Sequence, residues 1–224
     1  MSTINLLKKL ERYPLFTEND VSKLINKSPD YVKTYLYRLH KKGIITRIEK
    51  GKYTLHSDPL IFSSYIAIPS YFSLWTALRF YNMTQQQPID LFLMSAKKRR
   101  DIALPGMKIR FIKTRHMFGY TKIRYTDFDI FIAEKEKAII DSMLYKIPMA
   151  DVHEALNDLN FQKLCEYTKR TKNASLIKRI GYLIEMRTGQ DFGLKVMDNN
   201  YIKLDSQRKE KGIKNSKWKL WVNI

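Results

Sequence analysis

The first 56 residues contain three short helical patterns followed by two short apolar runs, and this order restricts the fold more than any other feature of the sequence. In residues 4–13, Ile4, Leu7 and Leu10 recur at three-residue steps, as on one face of a helix. A proline at the next position ends this first pattern. The segment therefore predicts a short helix with one buried face.

Two further helices are predicted by the residues that precede them. Thr17 is a good N-cap, and acidic residues follow it at the positive end of the predicted helix. Ser28 and Pro29 start a third helix, with the serine as the cap and the proline in the first turn. Gly43 follows two lysines and gives this helix a typical end. Its predicted buried face consists of Val32, Leu36 and Leu39.

A β-hairpin is predicted after the third helix. Residues 44–48 and 53–55 are short apolar-rich runs, and Gly51 lies in the polar turn between them. Three helices followed by a basic hairpin is the order of elements in a winged helix-turn-helix. The sequence therefore predicts an α+β chain, with a winged helix-turn-helix over residues 1–62 and a larger domain over residues 63–224.

The polar face of the third helix indicates what the first domain binds. With its apolar face turned inward, the helix presents side chains that can reach base edges and phosphates in a DNA major groove. Basic residues of the hairpin are expected along the DNA backbone or in the adjacent minor groove. A solvated charged surface, or a winged helix that contacts protein, is the alternative. The predicted DNA-binding residues are Ser28, Tyr31, Lys33, Thr34, Tyr37, Arg38, Lys41, Arg47, Lys50 and Lys52.

The distribution of charge supports a polyanionic partner. The chain has 41 Lys and Arg against 22 Asp and Glu, and the net charge of +19 favours nucleic acid or an anionic membrane surface. Three blocks hold this charge, namely residues 1–56, 97–124 and 203–224. Residues 125–160 are acidic and could face something different.

The larger domain is predicted to contain a mainly antiparallel sheet and several helices. Residues 61–68 fit either a helix or a strand, and residues 71–81 predict a buried apolar helix. Strand-like patterns cover residues 89–95, 107–113, 120–125 and 128–133. Helices are predicted over residues 134–146, 150–158, 161–170 and 174–187, with short strands over 201–204 and 218–224.

A second basic surface is predicted in this domain. Lysine and arginine alternate with apolar residues over 107–113, which places basic side chains on one face of the sheet, next to the basic run 97–100. An ordinary solvated sheet face is the alternative interpretation. The residues of this predicted surface are Lys97, Lys98, Arg99, Arg100, Lys108, Arg110, Lys113 and Arg115.

No pattern of catalytic residues or metal ligands is evident in the sequence. The single cysteine, Cys165, has apolar helical neighbours and is expected in the core, and the four histidines lack the spacing of metal ligands. Asp127 and Asp129 flank the start of a predicted strand and leave a metal-dependent nuclease as a minor alternative. Glu134 and Glu136 are better explained as residues of a helix start. We therefore predict a binding protein rather than an enzyme, with no catalytic residue, metal or cofactor.

Several segments together resemble a known family. They are RIEKGKYTL, IPSYFSLWTALRFYNMTQQQP, MFGY, IFIAEKEKAIIDSM, KRTKNASLIKRIGYLIE and KWKLWVN, which span nearly the whole chain. In this order they are similar to the AbiEi family of antitoxins and transcriptional regulators of type IV toxin–antitoxin systems. The most specific parts are residues 69–88 and 133–138.

The resemblance implies more than the residues themselves predict. Members of the family bind inverted repeats in double-stranded DNA of their own promoter and repress it, and their carboxy-terminal domain opposes a toxin of the nucleotidyltransferase class. The alternative is a stand-alone regulator whose second domain senses a ligand or dimerises. The sequence has neither a signal peptide nor a run of roughly 18 apolar residues, so a cytoplasmic location without membrane contact is expected.

Overall fold

Three short helices at the amino terminus each begin at a polar side chain that caps them. The computed structural model describes residues 2–157 and 159–224. The helices are α1 (Thr3–Leu10), α2 (Glu18–Ile25) and α3 (Pro29–Lys41), and their N-caps are Ser2, Thr17 and Ser28. Thr17 and Asp20 form a reciprocal capping box at α2, which satisfies two backbone N–H groups that the helix leaves free. Gly43 has a φ of 68°, the left-handed conformation that commonly follows the end of a helix.

A small antiparallel sheet packs against these helices. It contains β1 (Phe16–Thr17), β2 (Thr46–Glu49) and β3 (Lys52–Thr54) in the order β1-β3-β2. Gly51, with a φ of 76°, makes the turn of the β2–β3 hairpin. The predicted helices and hairpin are thus present. Their shared core consists of Leu6, Leu10, Phe16, Val21, Val32, Leu36, Leu39, Ile45 and Tyr53.

The predicted buried face of α1 is wrong in one respect. Leu6 and Leu10 are buried, four residues apart, whereas Ile4 is 67% exposed. A helix has 3.6 residues per turn, so three-residue steps drift around its surface and bring Ile4 to the solvent side. The predicted face of α3 is confirmed, because Val32, Leu36 and Leu39 are all buried.

A six-stranded sheet forms the centre of the rest of the chain. Its strands are β4 (Ser70–Phe72), β5 (Leu91–Ser95), β6 (Ile102–Leu104), β7 (Met107–Lys113), β8 (Tyr120–Tyr125) and β9 (Phe128–Ala133). The order is β6-β7-β5-β4-β9-β8. The pairs β5–β7 and β4–β9 are parallel and the other three pairs are antiparallel. The sheet is therefore mixed with a majority of antiparallel pairs, and the α+β class is confirmed.

The segment predicted as one helix over residues 71–81 contains two elements. Its first residues form β4 in the middle of the sheet, and only α5 (Leu74–Phe80) is helical. Tyr71 and Phe72 are fully buried, with Phe72 between Leu93 and Ile132 on the neighbouring strands. A central strand buried on both faces has a continuous apolar run, which resembles a buried helix in sequence.

Within residues 2–157 and 159–224, five further helices and a small sheet complete the fold. The helices are α4 (Pro59–Ile66), α6 (Lys135–Leu144), α7 (Met149–Glu154), α8 (Phe161–Thr171) and α9 (Ala174–Thr188). The small sheet consists of β10 (Ile202–Lys203), β11 (Ile213–Asn215) and β12 (Leu220–Val222), in the order β10-β12-β11. These elements share one hydrophobic core with the six-stranded sheet.

Most of the other predicted elements lie within a few residues of those observed, but the helix predicted over 150–158 ends at Glu154, and β6 and β11 lie outside the predicted strands. Residues 61–68, whose sequence fits either a helix or a strand, are helical up to Ile66. They belong to α4, which starts at a proline after the N-cap Asp58. This helix crosses the predicted domain boundary between residues 62 and 63, and the boundary itself stays a prediction. The last residue of the helix predicted over 150–158 lies outside the described residues. Within residues 2–157 and 159–224, every helix is too short or too polar to span a membrane.

Candidate nucleic-acid interface

The outer face of α3 carries cations that are free to bind a ligand. Lys33, Arg38 and Lys41 are exposed along this face, and none of them forms an ion pair with a carboxylate in the described part of the chain. Tyr31 and Tyr37 are 53% and 56% exposed, which is high for large aromatic side chains. The face therefore combines positive charge with exposed hydrogen-bonding aromatic groups.

The start of α3 has a defined geometry. The hydroxyl of Ser28 accepts the backbone N–H of Tyr31 at 3.4 Å, so this predicted DNA-binding residue serves first as a helix cap. The rings of Tyr31 and Tyr35 stack at 6.1 Å, and the Tyr35 hydroxyl donates to Thr3 of α1 at 2.9 Å. Thr34 is exposed on the same helix. These contacts fix the start of α3 against α1 and leave Tyr31 at the surface.

The three basic residues of the hairpin do not have the same surroundings. Arg47 and Lys50 are exposed, as predicted. Lys52 instead donates from Nζ to the carbonyl of Ile66 at 2.5 Å and lies 3.0 Å from a carboxylate oxygen of Glu49. Lys52 is therefore engaged within the chain, unlike Arg47 and Lys50, because an internal carbonyl and a carboxylate satisfy its ammonium group. A contact of Lys52 with DNA stays a prediction.

Arg99 of the predicted second basic surface joins this contact. Its guanidinium pairs with Glu49 and lies over the ring of Phe111, 5.1 Å from the centroid. Burial by itself raises the pKa of Glu49, but the hydrogen bonds from Arg99 and Lys52 outweigh it and hold this pKa below its ordinary value. We call Glu49, Lys52, Arg99 and the Ile66 carbonyl the hairpin junction. It holds the hairpin beside the loop that follows β5.

The eight residues of the second basic surface are only partly brought together. Lys97, Lys98 and Arg100 are exposed in the loop beside the hairpin junction. Arg110 is neutralised by Asp90, whose carboxylate lies 2.5 Å from its Nε. The hydrogen bond from Arg110 in turn lowers the pKa of Asp90. The loop thus extends the free positive charge of the hairpin, whereas the sheet face contributes less than predicted.

The prediction of one alternating basic face on β7 is wrong for its last residue. Lys108 and Arg110 share one face, but Lys113 is an odd number of residues away and belongs to the face of Ile109 and Phe111. It is exposed at the end of the strand. Arg115 lies beyond the end of the strand and is also exposed.

The acidic residues considered for a nuclease are engaged in ion pairs or at the surface. Asp129 pairs with Lys122 at 3.0 Å and Arg124 at 3.7 Å, and Asp127 is exposed. The carboxylate of Glu134 lies 3.0 Å from the Nζ of Lys163. No group of three or more possible metal ligands occurs among residues 2–157 and 159–224.

Sequence reasoning missed a buried polar cluster around Lys137 and Asp141. Both side chains are fully buried and form an ion pair one turn apart on α6. The Lys137 ammonium also donates to the Tyr71 hydroxyl at 2.8 Å, while Tyr71 and Ser73 donate to the Asp141 carboxylate at 3.1 and 2.8 Å. Burial raises the pKa of Asp141 and lowers that of Lys137. The charge of each residue opposes the pKa shift of its partner.

This cluster connects the central strand to two helices rather than facing solvent. Its four side chains, Tyr71, Ser73, Lys137 and Asp141, are fully buried. The ring of Tyr71 stacks on Tyr120 of β8 at 4.5 Å with an interplanar angle of 4°. The i, i+4 spacing of the lysine and aspartate was the available sequence signal. It indicates an ion pair but carries no information about burial.

No family model matches the chain, and no curated protein gives a significant match.

Proposed function

We propose that residues 1–62 form a winged helix-turn-helix that binds double-stranded DNA, with α3 as the recognition helix. The observation that carries the proposal is the outer face of α3, whose three exposed cations form no ion pair within residues 2–157 and 159–224 and lie beside two exposed tyrosines. The order of elements supports it, since three helices precede a hairpin whose second strand lies at the centre of the small sheet. An α-helix with such a face fits a major groove.

The hairpin also supports a duplex bound on the outer face of α3. Arg47 and Lys50 are exposed next to the end of β2, while Glu49 points into the hairpin junction. The acidic residue at the hairpin is thus neutralised by Arg99 and Lys52. A duplex that contacts the exposed side of the hairpin would therefore meet positive charge from Arg47 and Lys50.

Two substitutions test this assignment. Arg38→Ala removes the residue best suited to a bidentate guanine contact and should cost about 1–3 kcal/mol on specific DNA, with a smaller effect on random DNA. Lys50→Ala removes a phosphate contact and should weaken binding to both DNAs equally. Lys195→Ala is the matched control, because this lysine is exposed outside the proposed interface.

Fluorescence anisotropy with duplexes from the chain's own promoter and with random duplexes measures both effects. A series of salt concentrations should show the salt slope fall by about one for Lys50→Ala. Equal losses on the two DNAs for Arg38→Ala would reassign it to phosphate binding. Unchanged affinity in both variants would refute the assignment of α3 and the hairpin.

We further propose that the chain is an antitoxin that represses its own operon and opposes a nucleotidyltransferase toxin. The similarity of its segments to the AbiEi family supports this proposal. Co-expression with a nucleotidyltransferase encoded by the neighbouring gene should rescue growth. Rescue should survive Arg38→Ala, because repression and toxin opposition are assigned to different parts of the chain. Loss of rescue in this variant at equal protein level would contradict the assignment.

A stand-alone regulator with a sensing domain is the second candidate. An open groove of about 460 Å³ beside α5 favours it, lined by Trp75, Phe92 and Pro88 among others. Apolar clefts of this size commonly hold small ligands. A small molecule that shifts promoter binding, with the shift abolished in Phe92→Ala, would support this function over the antitoxin.

A further inference from the structure

The third basic block of the chain folds into the small carboxy-terminal sheet, to which no role has been assigned so far. Lys203 of β10 and Lys214 of β11 both lie opposite Trp221 of β12 in the strand register. Leu220 is fully buried, so its neighbour Trp221 points to the opposite, outer face of the sheet. The sheet therefore carries a row of a lysine, a tryptophan and a lysine across its outer face.

Two residues next to the strands extend this face. Tyr201 directly precedes β10, and the Nζ of Lys219, in the turn before β12, lies near the ring of Tyr201. The rings of Tyr201 and Trp221 lie 5.7 Å apart at an angle of 49°. Both rings are partly exposed, so together they offer two adjacent aromatic surfaces at the edge of the core.

Lysines surround the two rings. The Nζ of Lys211 lies 4.1 Å from the ring centroid of Trp221, and those of Lys214 and Lys219 lie 4.7 and 5.6 Å from that of Tyr201. In the described part of the chain none of these three ammonium groups pairs with a carboxylate, in contrast to the nearby Lys217, which binds Glu185 at 2.7 Å. A hydrogen bond to Ser216 and the charges of Lys214 and Lys219 lower the pKa of Tyr201.

This combination matches the chemistry of an unpaired nucleotide. Bases stack on aromatic rings whatever their sequence, and lysines bind the phosphates between them. Cation–π contacts at an exposed site are weak, so an incoming base can displace an ammonium group, which then reaches a phosphate. A duplex keeps its base faces stacked inside and cannot use the rings in this way.

We propose that the outer face of the carboxy-terminal sheet binds single-stranded nucleic acid, with bases stacked on Tyr201 and Trp221 and phosphates bound by Lys211, Lys214 and Lys219. We call these five residues the aromatic–lysine face. The site is separate from α3 and does not rest on the DNA-binding function proposed above. Two adjacent rings accommodate two consecutive bases.

Fluorescence anisotropy of the full chain with a labelled 12-nucleotide oligouridylate tests the proposal. Tyr201→Ala should weaken binding by about tenfold, which is the scale of one lost base–aromatic stack. The triple variant Lys211→Ala, Lys214→Ala, Lys219→Ala should weaken binding at least as much and reduce its salt dependence. It leaves both rings in place, so it tests the site even if replacement of a ring affects folding.

The matched control is Lys195→Ala. Lys195 is an exposed lysine outside both the aromatic–lysine face and the face of α3. Its replacement should leave oligouridylate binding unchanged, and Tyr201→Ala should leave binding of promoter duplex unchanged. No measurable oligouridylate binding, or an equal loss in Lys195→Ala, would overturn the proposal.

Two further outcomes also decide against it. Loss of binding in the lysine variant without loss in Tyr201→Ala would show a general polyanion surface, with no base stacking. Vesicles containing phosphatidylserine provide the last comparison. If they bind the wild-type chain more tightly than oligouridylate does, and lose that binding in the lysine variant, the partner is an anionic membrane instead.

Discussion

The buried ion pair of Lys137 and Asp141 gives a prediction whose size follows from its geometry. Replacing Asp141 by Asn keeps the shape of the side chain but leaves the Lys137 ammonium charged in a fully buried site. It also replaces one acceptor oxygen of a carboxylate to which Tyr71 and Ser73 both donate. Removal of one partner from a buried pair costs about 3–5 kcal/mol of the free energy of unfolding.

Urea unfolding followed by circular dichroism measures this cost. With a slope of about 2 kcal/mol per M of urea, the midpoint should fall by about 1.5–2.5 M. Lys137→Met should be destabilising for the complementary reason, because it leaves the carboxylate without a counter-charge. The double variant Lys137→Met, Asp141→Leu removes both charges and should cost clearly less than the sum of the single variants.

A surface pair provides the control. Lys217 and Glu185 are also in contact, but their side chains are 51% and 35% exposed. Lys217→Met should therefore cost no more than about 1 kcal/mol. If Asp141→Asn also costs less than about 1 kcal/mol, or if the two single costs simply add in the double variant, the argument from burial is refuted.

Three other predictions concern single sites. The hydrogen bonds that lower the pKa of Glu49 stabilise the fold above its ordinary pKa of 4.5, and this stabilisation is lost as the pH falls through the lowered value. In an NMR titration, the backbone amide chemical shifts of the hairpin should therefore change below pH 4.5. In Glu49→Gln they should not change over this range. A Cβ at Gly181 would overlap the indole of Trp218, so Gly181→Ala should lower the free energy of unfolding by about 1–3 kcal/mol. Gly189 has open space around it but a φ of 68°, so Gly189→Ala should lower the free energy of unfolding by about 1 kcal/mol. Equal losses of stability in the two variants would contradict the overlap at Gly181. Burial raises the pKa of the Cys165 thiol to about 11, so a thiol reagent at pH 8 should label it only after unfolding, and rapid labelling of the native chain would contradict its burial.

The amino-terminal elements could be predicted because their signals are local. The cap at Ser28 and the apolar positions of α3 lie within one helix, and both are found as expected. The segment 71–81 fails for the opposite reason. Whether Tyr71 and Phe72 form a strand is decided by β5 and β9, which are distant in sequence and contribute the hydrogen bonds.

The same distinction separates the site residues whose exposure could be predicted from the rest. The exposure of Arg38 follows from the periodicity of its own helix. Lys52 and Arg99 are cations in basic segments, and nothing local indicates that both bind Glu49, which is 50 residues from the arginine. Charge along a sequence thus predicts the sign of a surface, but contacts distant in sequence determine which cations remain free to bind a ligand.

Ile48 has a consequence for how the chain unfolds. The register of the hairpin shifts between Arg47 and Glu49, and Ile48 packs into the large core while Tyr53 of the facing strand belongs to the small one. Neither core can open without exposing part of the same hairpin, so the two should melt cooperatively rather than in separate steps. Any duplex that binds only the folded amino-terminal part would thereby also stabilise the six-stranded sheet, by thermodynamic linkage and without touching it.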